Sequence, residues 1–178
     1  MGNNNFTSED FRFNTEVESN FRRLKDLLGS KILWDRRDLF FKQSVFIEVL
    51  IIMKDLLIKA HKVDRRVAFT DDVIPNDNPR GKIVDVTDLI NNFRDAACHI
   101  DSFRREVESC VFSYNEIRGR VPNAIVINDV VIGSDYEDDI AYAMGSNRMY
   151  LKRHLERAYE ELKVLFKPIV ENPFVPFK

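Results

Sequence analysis

The chain has 178 residues, of which 44% are hydrophobic and 31% charged, and a formal net charge of −2. That length suggests one domain and the apolar share excludes a disordered chain, while near-zero net charge argues neither for nor against nucleic acid. Any RNA or DNA contact has to be a local patch.

The start, MGNNNFTSEDF, is polar and acidic. It lacks the basic end and apolar centre of a signal peptide, and Met1-Gly2 alone is not a myristoylation signal. A first helix is predicted from about Thr15 to Leu28, with Thr15 and Glu18 as a capping box and Val17, Phe21, Leu24 and Leu28 at helical spacing. Gly29 ends it. A second helix is predicted from about Asp38 to Lys62. Its centre, VFIEVLIIMKDLLI from Val45 to Ile58, is apolar almost all round. The run is shorter than a bilayer span and contains Glu48, Lys54 and Asp55, so it reads as a buried helix and not a membrane anchor. Residues 63–84 carry Pro75, Pro79 and Gly81 among Asp and Asn and read as a long loop.

The third helix has the strongest pattern. Thr87 can cap it, and Ile90, Phe93, Ala97, Ile100, Phe103, Val107, Val111 and Tyr114 sustain a three-and-four spacing to about Ile117. The two cysteines, Cys98 and Cys110, then lie about 18 Å apart on one helix, beyond disulfide reach. A reducing, cytoplasmic setting follows. After Gly119 and Pro122 the period changes. AIVINDVVIG reads as a hairpin around Asn128-Asp129, with a third short strand at Ile140–Met144. A fourth helix is predicted from about Asn147 to Phe166. Pro168, Pro173 and Pro176 make residues 167–178 an extended tail, with Phe174, Val175 and Phe177 available for packing. The expected fold is mainly all-α: one domain over residues 1–178, an antiparallel four-helix bundle with a small β-hairpin inserted at 123–145 before the last long helix.

The third helix holds the chemistry. Arg94 and His99 are five residues apart, about 140° around a helical wheel. Between them lies a polar, small-residue face of Asn91, Asp95, Cys98 and Ser102, which a second helix can approach closely. Asp95 is four residues before His99 and can orient or charge the imidazole. If an identical helix packs there about a two-fold axis, two arginines and two histidines share one cleft. Two guanidinium groups can grip a phosphate, and two imidazoles can serve as base and acid. Those components suffice to cut RNA without a metal.

The string Arg94-Asp95-Ala96-Ala97-Cys98-His99 resembles the motif of the HEPN superfamily, small helical domains found in higher eukaryotes and prokaryotes. The resemblance covers roughly residues 10–166 by pattern, and the motif itself is short. It implies a homodimer with paired motifs at the interface. It also implies one of two functions: a metal-independent endoribonuclease of toxin–antitoxin or phage-defence type, or a non-catalytic interaction or nucleotide-binding module. An antitoxin or a nucleotidyltransferase-like protein is the partner it suggests. Arg94 would hold phosphate and His99 would move the proton, with Asp95 beside them.

Other residues carry alternatives. Glu48 and Asp55 interrupt an apolar helix, and a buried carboxylate needs a partner. They either face a narrow polar stripe or support Arg94 from the same or a second chain. Arg148, Lys152 and Arg153 either meet an RNA backbone or pair with the acidic run Asp135, Glu137, Asp138 and Asp139. Arg65, Arg66, Arg80 and Lys82 form a weaker basic group. His61 and His154 read as surface residues at helix ends. Cys98 reads as a small surface or interface residue and not a nucleophile. No Cys/His cluster has metal-ligand spacing, so no metal and no cofactor are expected.

Overall fold

The computed structural model describes residues 6–37, 39–77, 81–99, 101–107, 110–111 and 114–176. The first three helices are α1 (Ser8–Gly29), α2 (Leu39–Lys62) and α3 (Val86–Cys98). Seven strands follow: β1 (Glu106–Val107), β2 (Cys110–Val111), β3 (Asn115–Arg118), β4 (Val121–Ile127), β5 (Val130–Ser134), β6 (Ile140–Met144) and β7 (Asn147–Tyr150). A π-helical turn, Leu151–Glu156, leads into α4 (Arg157–Leu165), and α5 (Lys167–Glu171) closes the order. The fold is therefore α+β, not the mainly all-α four-helix bundle expected from the periodicity.

The error begins at His99. The predicted third helix ran to Ile117, but α3 ends at Cys98, and His99 has extended backbone with φ −118° and ψ 111°. Beyond it Val107, Val111 and Ile117 serve strands. Val107 is buried from β1, and Ile117 is buried from β3, whose ladder partners lie on β6. Local period cannot reveal such non-local pairing. The first four residues assigned to the fourth helix form β7 instead. They pair with β6 through the Gly145–Ser146 turn, as in Met144 with Asn147 and Ala141 with Tyr150. The hairpin is thus one part of a larger β region and not an insertion into a bundle. The predicted hairpin and third strand do occur: β4 and β5 flank Asn128, whose φ of 49° suits the turn, and β6 spans the residues expected.

The layers follow from β6, which is buried at all five positions. β3, β6 and β7 form an antiparallel sheet in the order β3-β6-β7. Ile140, Tyr142 and Met144 point into the main core with Phe46, Leu50 and Phe93 from the helices. Ala141 and Ala143 point the other way, into a smaller core with Ile117, Ile132 and Tyr150 under the β4–β5 hairpin. At Gly133 the hairpin backbones come so close that an added Cβ would lie 1.9 Å from Pro122 O, which only glycine permits.

The ends of the helices correct several local expectations. Thr7 with Asp10, not Thr15 with Glu18, forms the capping box of α1. Thr15 lies inside the helix and donates its hydroxyl to Phe11 O at 2.8 Å. Asp38, the expected start of α2, lies outside the described residues. Asp85, not Thr87, caps α3 and accepts from Asp88 N. The tail is not extended throughout. Its first part is α5, with Pro168 in the first turn where a missing N–H costs nothing. Beyond it, Asn14, fully buried on α1, donates to Pro173 O and Val175 O at 2.8 Å each. Phe174 stacks on Phe11 with ring centres 6.1 Å apart, and Phe177 lies outside the described residues.

Long-range ties join sheet and helices. Arg118 on β3 pairs with Glu116 and donates to the carbonyls of Leu33, Trp34 and Asp35 at 2.9 Å each, fixing the α1–α2 connection to the sheet. Asp139, just before β6, caps the helical stretch after β7 from a distance. Its carboxylate accepts from Lys152 N at 2.9 Å, Arg153 N at 3.1 Å and Arg153 Nη1 at 3.0 Å, and its side chain is fully enclosed. His154, read from sequence as a surface residue, is 0% exposed. Its Nδ1 accepts from Tyr150 N at 3.0 Å, so Nε2 carries the proton and donates to Asp71 O at 3.0 Å. No described helix is long and apolar enough to cross a membrane.

Two outcomes follow from these ties. Asp139→Ala removes one of the two carboxylates on Arg153 and leaves two helix-start N–H groups without their acceptor, and costs about 3 kcal/mol in urea unfolding, with Asp139→Asn costing less. Burial holds the His154 imidazole below its ordinary pKa of 6.5. The unfolded chain then takes up the proton first, so this residue's effect is absent well above pH 6.5 and stability falls as pH drops through that value. Urea midpoints measured between pH 7.5 and 5.5 read the slope, and His154→Asn, which keeps an acceptor for Tyr150 N, flattens it.

Candidate functional site

α3 packs on α2 through its apolar side, with Ile90, Phe93 and Ala96 buried, which turns Asn91, Arg94 and Asp95 to a half-buried margin. Asp95 is the hub there. Lys54 Nζ reaches over from α2 to Asp95 Oδ1 at 2.8 Å, Arg94 Nη1 lies 3.2 Å from the same oxygen, and Arg104 Nη2 lies 3.8 Å from Oδ2. Burial pushes the Asp95 carboxyl up, but the hydrogen bond and charge of Lys54, helped by Arg94 and Arg104, pull it below the ordinary carboxylate value. Three cations thus meet at one carboxylate. Asn91, one turn earlier, has a buried Oδ1 with no hydrogen-bond partner among the described residues.

His99 does not stand where a continuous helix would put it. Its backbone N–H still closes the last helical bond, to Asp95 O at 3.1 Å, but its side chain leaves the helix and is exposed. The 140° wheel relation between Arg94 and His99 therefore does not apply. His99 instead lines a shallow depression of about 460 Å³ with Cys98, Asp101, Ser102, Phe103 and Arg104. Cys98 is exposed, and the Ser102 side chain accepts from Arg104 N at 3.3 Å. The Asp95 carboxylate is taken by cations, and no contact joins it to the imidazole among the described residues. The arrangement brings together Arg94, Asp95, Lys54 and Arg104 and sets His99 at its edge.

The remaining candidates lie elsewhere. Glu48 pairs with Arg23 of α1, and Asp55 accepts from Asn20 and Lys59 at 2.6 Å each, so both face α1 and neither supports Arg94 within this chain. Arg148 pairs with Asp135 at 2.8 Å, and Lys152 with Asp138 at 2.5 Å. Arg153 binds Asp138 and Asp139 and lies 3.4 Å from the ring centre of Tyr136. The acidic run largely neutralises this basic group. Arg66 is held by Asp85 and Asp88 at 2.7 and 2.6 Å, and Arg80 lies outside the described residues. Larger grooves of about 700 and 810 Å³ flank α4, remote from the motif, and are lined by side chains such as Glu18, Arg22, Glu160 and Lys163 that pair along their own helices.

Lys54 and Arg104 were missed as site residues. Lys54 had a signal, since it breaks the same apolar run as Glu48 and Asp55. Arg104 had none, because the turn that returns it to Asp95 is invisible in a helical reading. No described group of three or more His, Cys, Asp or Glu residues could hold a metal ion. Lys54→Met removes the strongest attraction on the Asp95 carboxylate and raises its pKa, as read by carbon NMR titration against the wild type. No family model matches the chain, and comparison with curated proteins and with solved structures returns no match.

Proposed function

We propose that the protein is a metal-independent endoribonuclease of HEPN type that works as a homodimer in the cytoplasm. Arg94 and Arg104 hold the scissile phosphate and His99 moves the proton. The observation that carries this reading is the convergence of Lys54, Arg94 and Arg104 on the single carboxylate of Asp95, beside an exposed imidazole. Guanidinium and ammonium groups gathered at one carboxylate, with Arg104 also lining the depression that holds His99, suit a phosphodiester, and arginine can bind it in a bidentate way. The ribose 2'-hydroxyl attacks phosphorus while one imidazole takes its proton. The bond to the 5'-oxygen breaks and that oxygen receives a proton from the imidazolium of the second copy. The products are a 2',3'-cyclic phosphate and a 5'-hydroxyl.

The dimer has support on α2. Ile47 is half-buried, and Ile51 and Ile58 are 39% and 46% exposed, at helical spacing around Lys54. This apolar stripe borders the Asp95 hub, so a second copy seated on it brings two motifs together. The non-catalytic reading draws on a different observation. Val126 and Val131, paired across the hairpin, are 60% and 53% exposed and offer an apolar face.

The test is cleavage of single-stranded RNA in EDTA, with end-group analysis. His99→Ala abolishes cleavage and leaves RNA binding within about twofold. Arg94→Ala weakens both, by about tenfold or more in binding. Ile51→Asp yields a monomer by light scattering and lowers the rate. A wild-type dimer that binds no RNA and never yields cyclic phosphate ends refutes the enzyme and leaves the interaction module.

A further inference from the structure

The last carbonyls of a helix need partners, and those of α3 find an unusual one. Arg105 Nε donates to Ala96 O, and its Nη2 donates to Ala97 O at 3.1 Å. These are acceptors that a continuing helix would have bonded through residues 100 and 101. A cation at this end also matches the negative pole of the helix dipole. Between helix and guanidinium, Ser102 N donates to His99 O at 3.1 Å, and Arg105 N to Ser102 O at 3.0 Å. From the other side, the β6–β7 turn presses on this segment. Gly145 has φ +55°, and a Cβ there would lie 2.2 Å from Arg104 O. His99 sits at the head of a loop clamped at its far end from two directions.

We infer that Arg105 is the positioning residue of the site. By capping the Ala96 and Ala97 carbonyls it stops α3 at Cys98 and turns His99 onto the depression that Arg104 lines. Arg105 touches no substrate. It acts through the backbone, and Gly145 is the abutment that keeps the Arg104–Arg105 segment in place. The inference rests on His99 being the proton-moving group, and its test separates the two claims.

Amide hydrogen exchange at His99 and Ser102 reports the clamp whether or not RNA is cut. Arg105→Ala accelerates exchange at both by at least about tenfold while global unfolding stays cooperative. It lowers kcat for RNA cleavage by at least about tenfold, since a misplaced imidazole costs rate, and raises KM by less, since Arg104 rides on the same segment. Arg105→Lys, a single point donor in place of a fork, recovers part of both. Gly145→Ala, which leaves Arg105 intact and displaces its segment, reproduces the kcat loss. Unchanged exchange in Arg105→Ala overturns the inference. Faster exchange with unaltered cleavage, while His99→Ala is dead, overturns it as a positioning role and leaves the proposed function standing. A wild type that cuts nothing, with exchange accelerated by Arg105→Ala, refutes the function and upholds the clamp.

Discussion

Ile140, Tyr142 and Met144 face the helices while Ala141 and Ala143 face the β4–β5 hairpin, so β6 must be covered on both sides. A strand with no wet face cannot sit at the rim of a helical bundle. It needs helices on one side and a second β layer on the other, with ladder partners at both edges. β3 and β7 supply the ladders. The small residues Ala141 and Ala143 let the hairpin lie close, and the larger Tyr142 fills the helical side against Phe46, with ring centres 4.1 Å apart. The three helices before the sheet, the hairpin beyond it and α4 after it are arranged around that requirement.

Side chains from distant positions finish the helix ends that this arrangement cuts short. Asp139 stands before β6 yet supplies the anion for the helical stretch after β7. Arg105 supplies the cation and donors for the end of α3. Each matches the sign of the helix pole it meets and satisfies backbone groups that would otherwise be buried without partners. At α3 the consequence reaches the motif. Ending the helix at Cys98 frees His99 from the wheel and brings Arg104 back to Asp95.

Asp135, Asp138 and Asp139 pair with Arg148, Lys152 and Arg153, whereas Lys54, Arg94 and Arg104 all converge on Asp95. Two of the chain's basic groups therefore differ in kind. One welds a loop to a helix, and the other gathers three cations at the margin of α3. The exposed isoleucines beside Lys54 extend that site into a surface on α2.

The sequence by itself determined α1 from about Thr15, α2, α3, the Asn128 hairpin and β6. Each has a local signature: an apolar stripe at 3.6 spacing, or β-branched runs around a turn residue that tolerates positive φ. It also singled out Arg94, Asp95 and His99. Only the tertiary structure decided that Phe103, Val107 and Tyr114 leave the helical path despite their spacing. The forces that decide this, Arg105 on the Ala96 and Ala97 carbonyls and β6 pairing with β3, join residues with no local pattern between them. It alone decided that His154 is buried and that Glu48 and Asp55 face α1. It also joined Lys54 and Arg104 to Asp95, because which face of a helix meets which charge depends on the neighbours that fold against it.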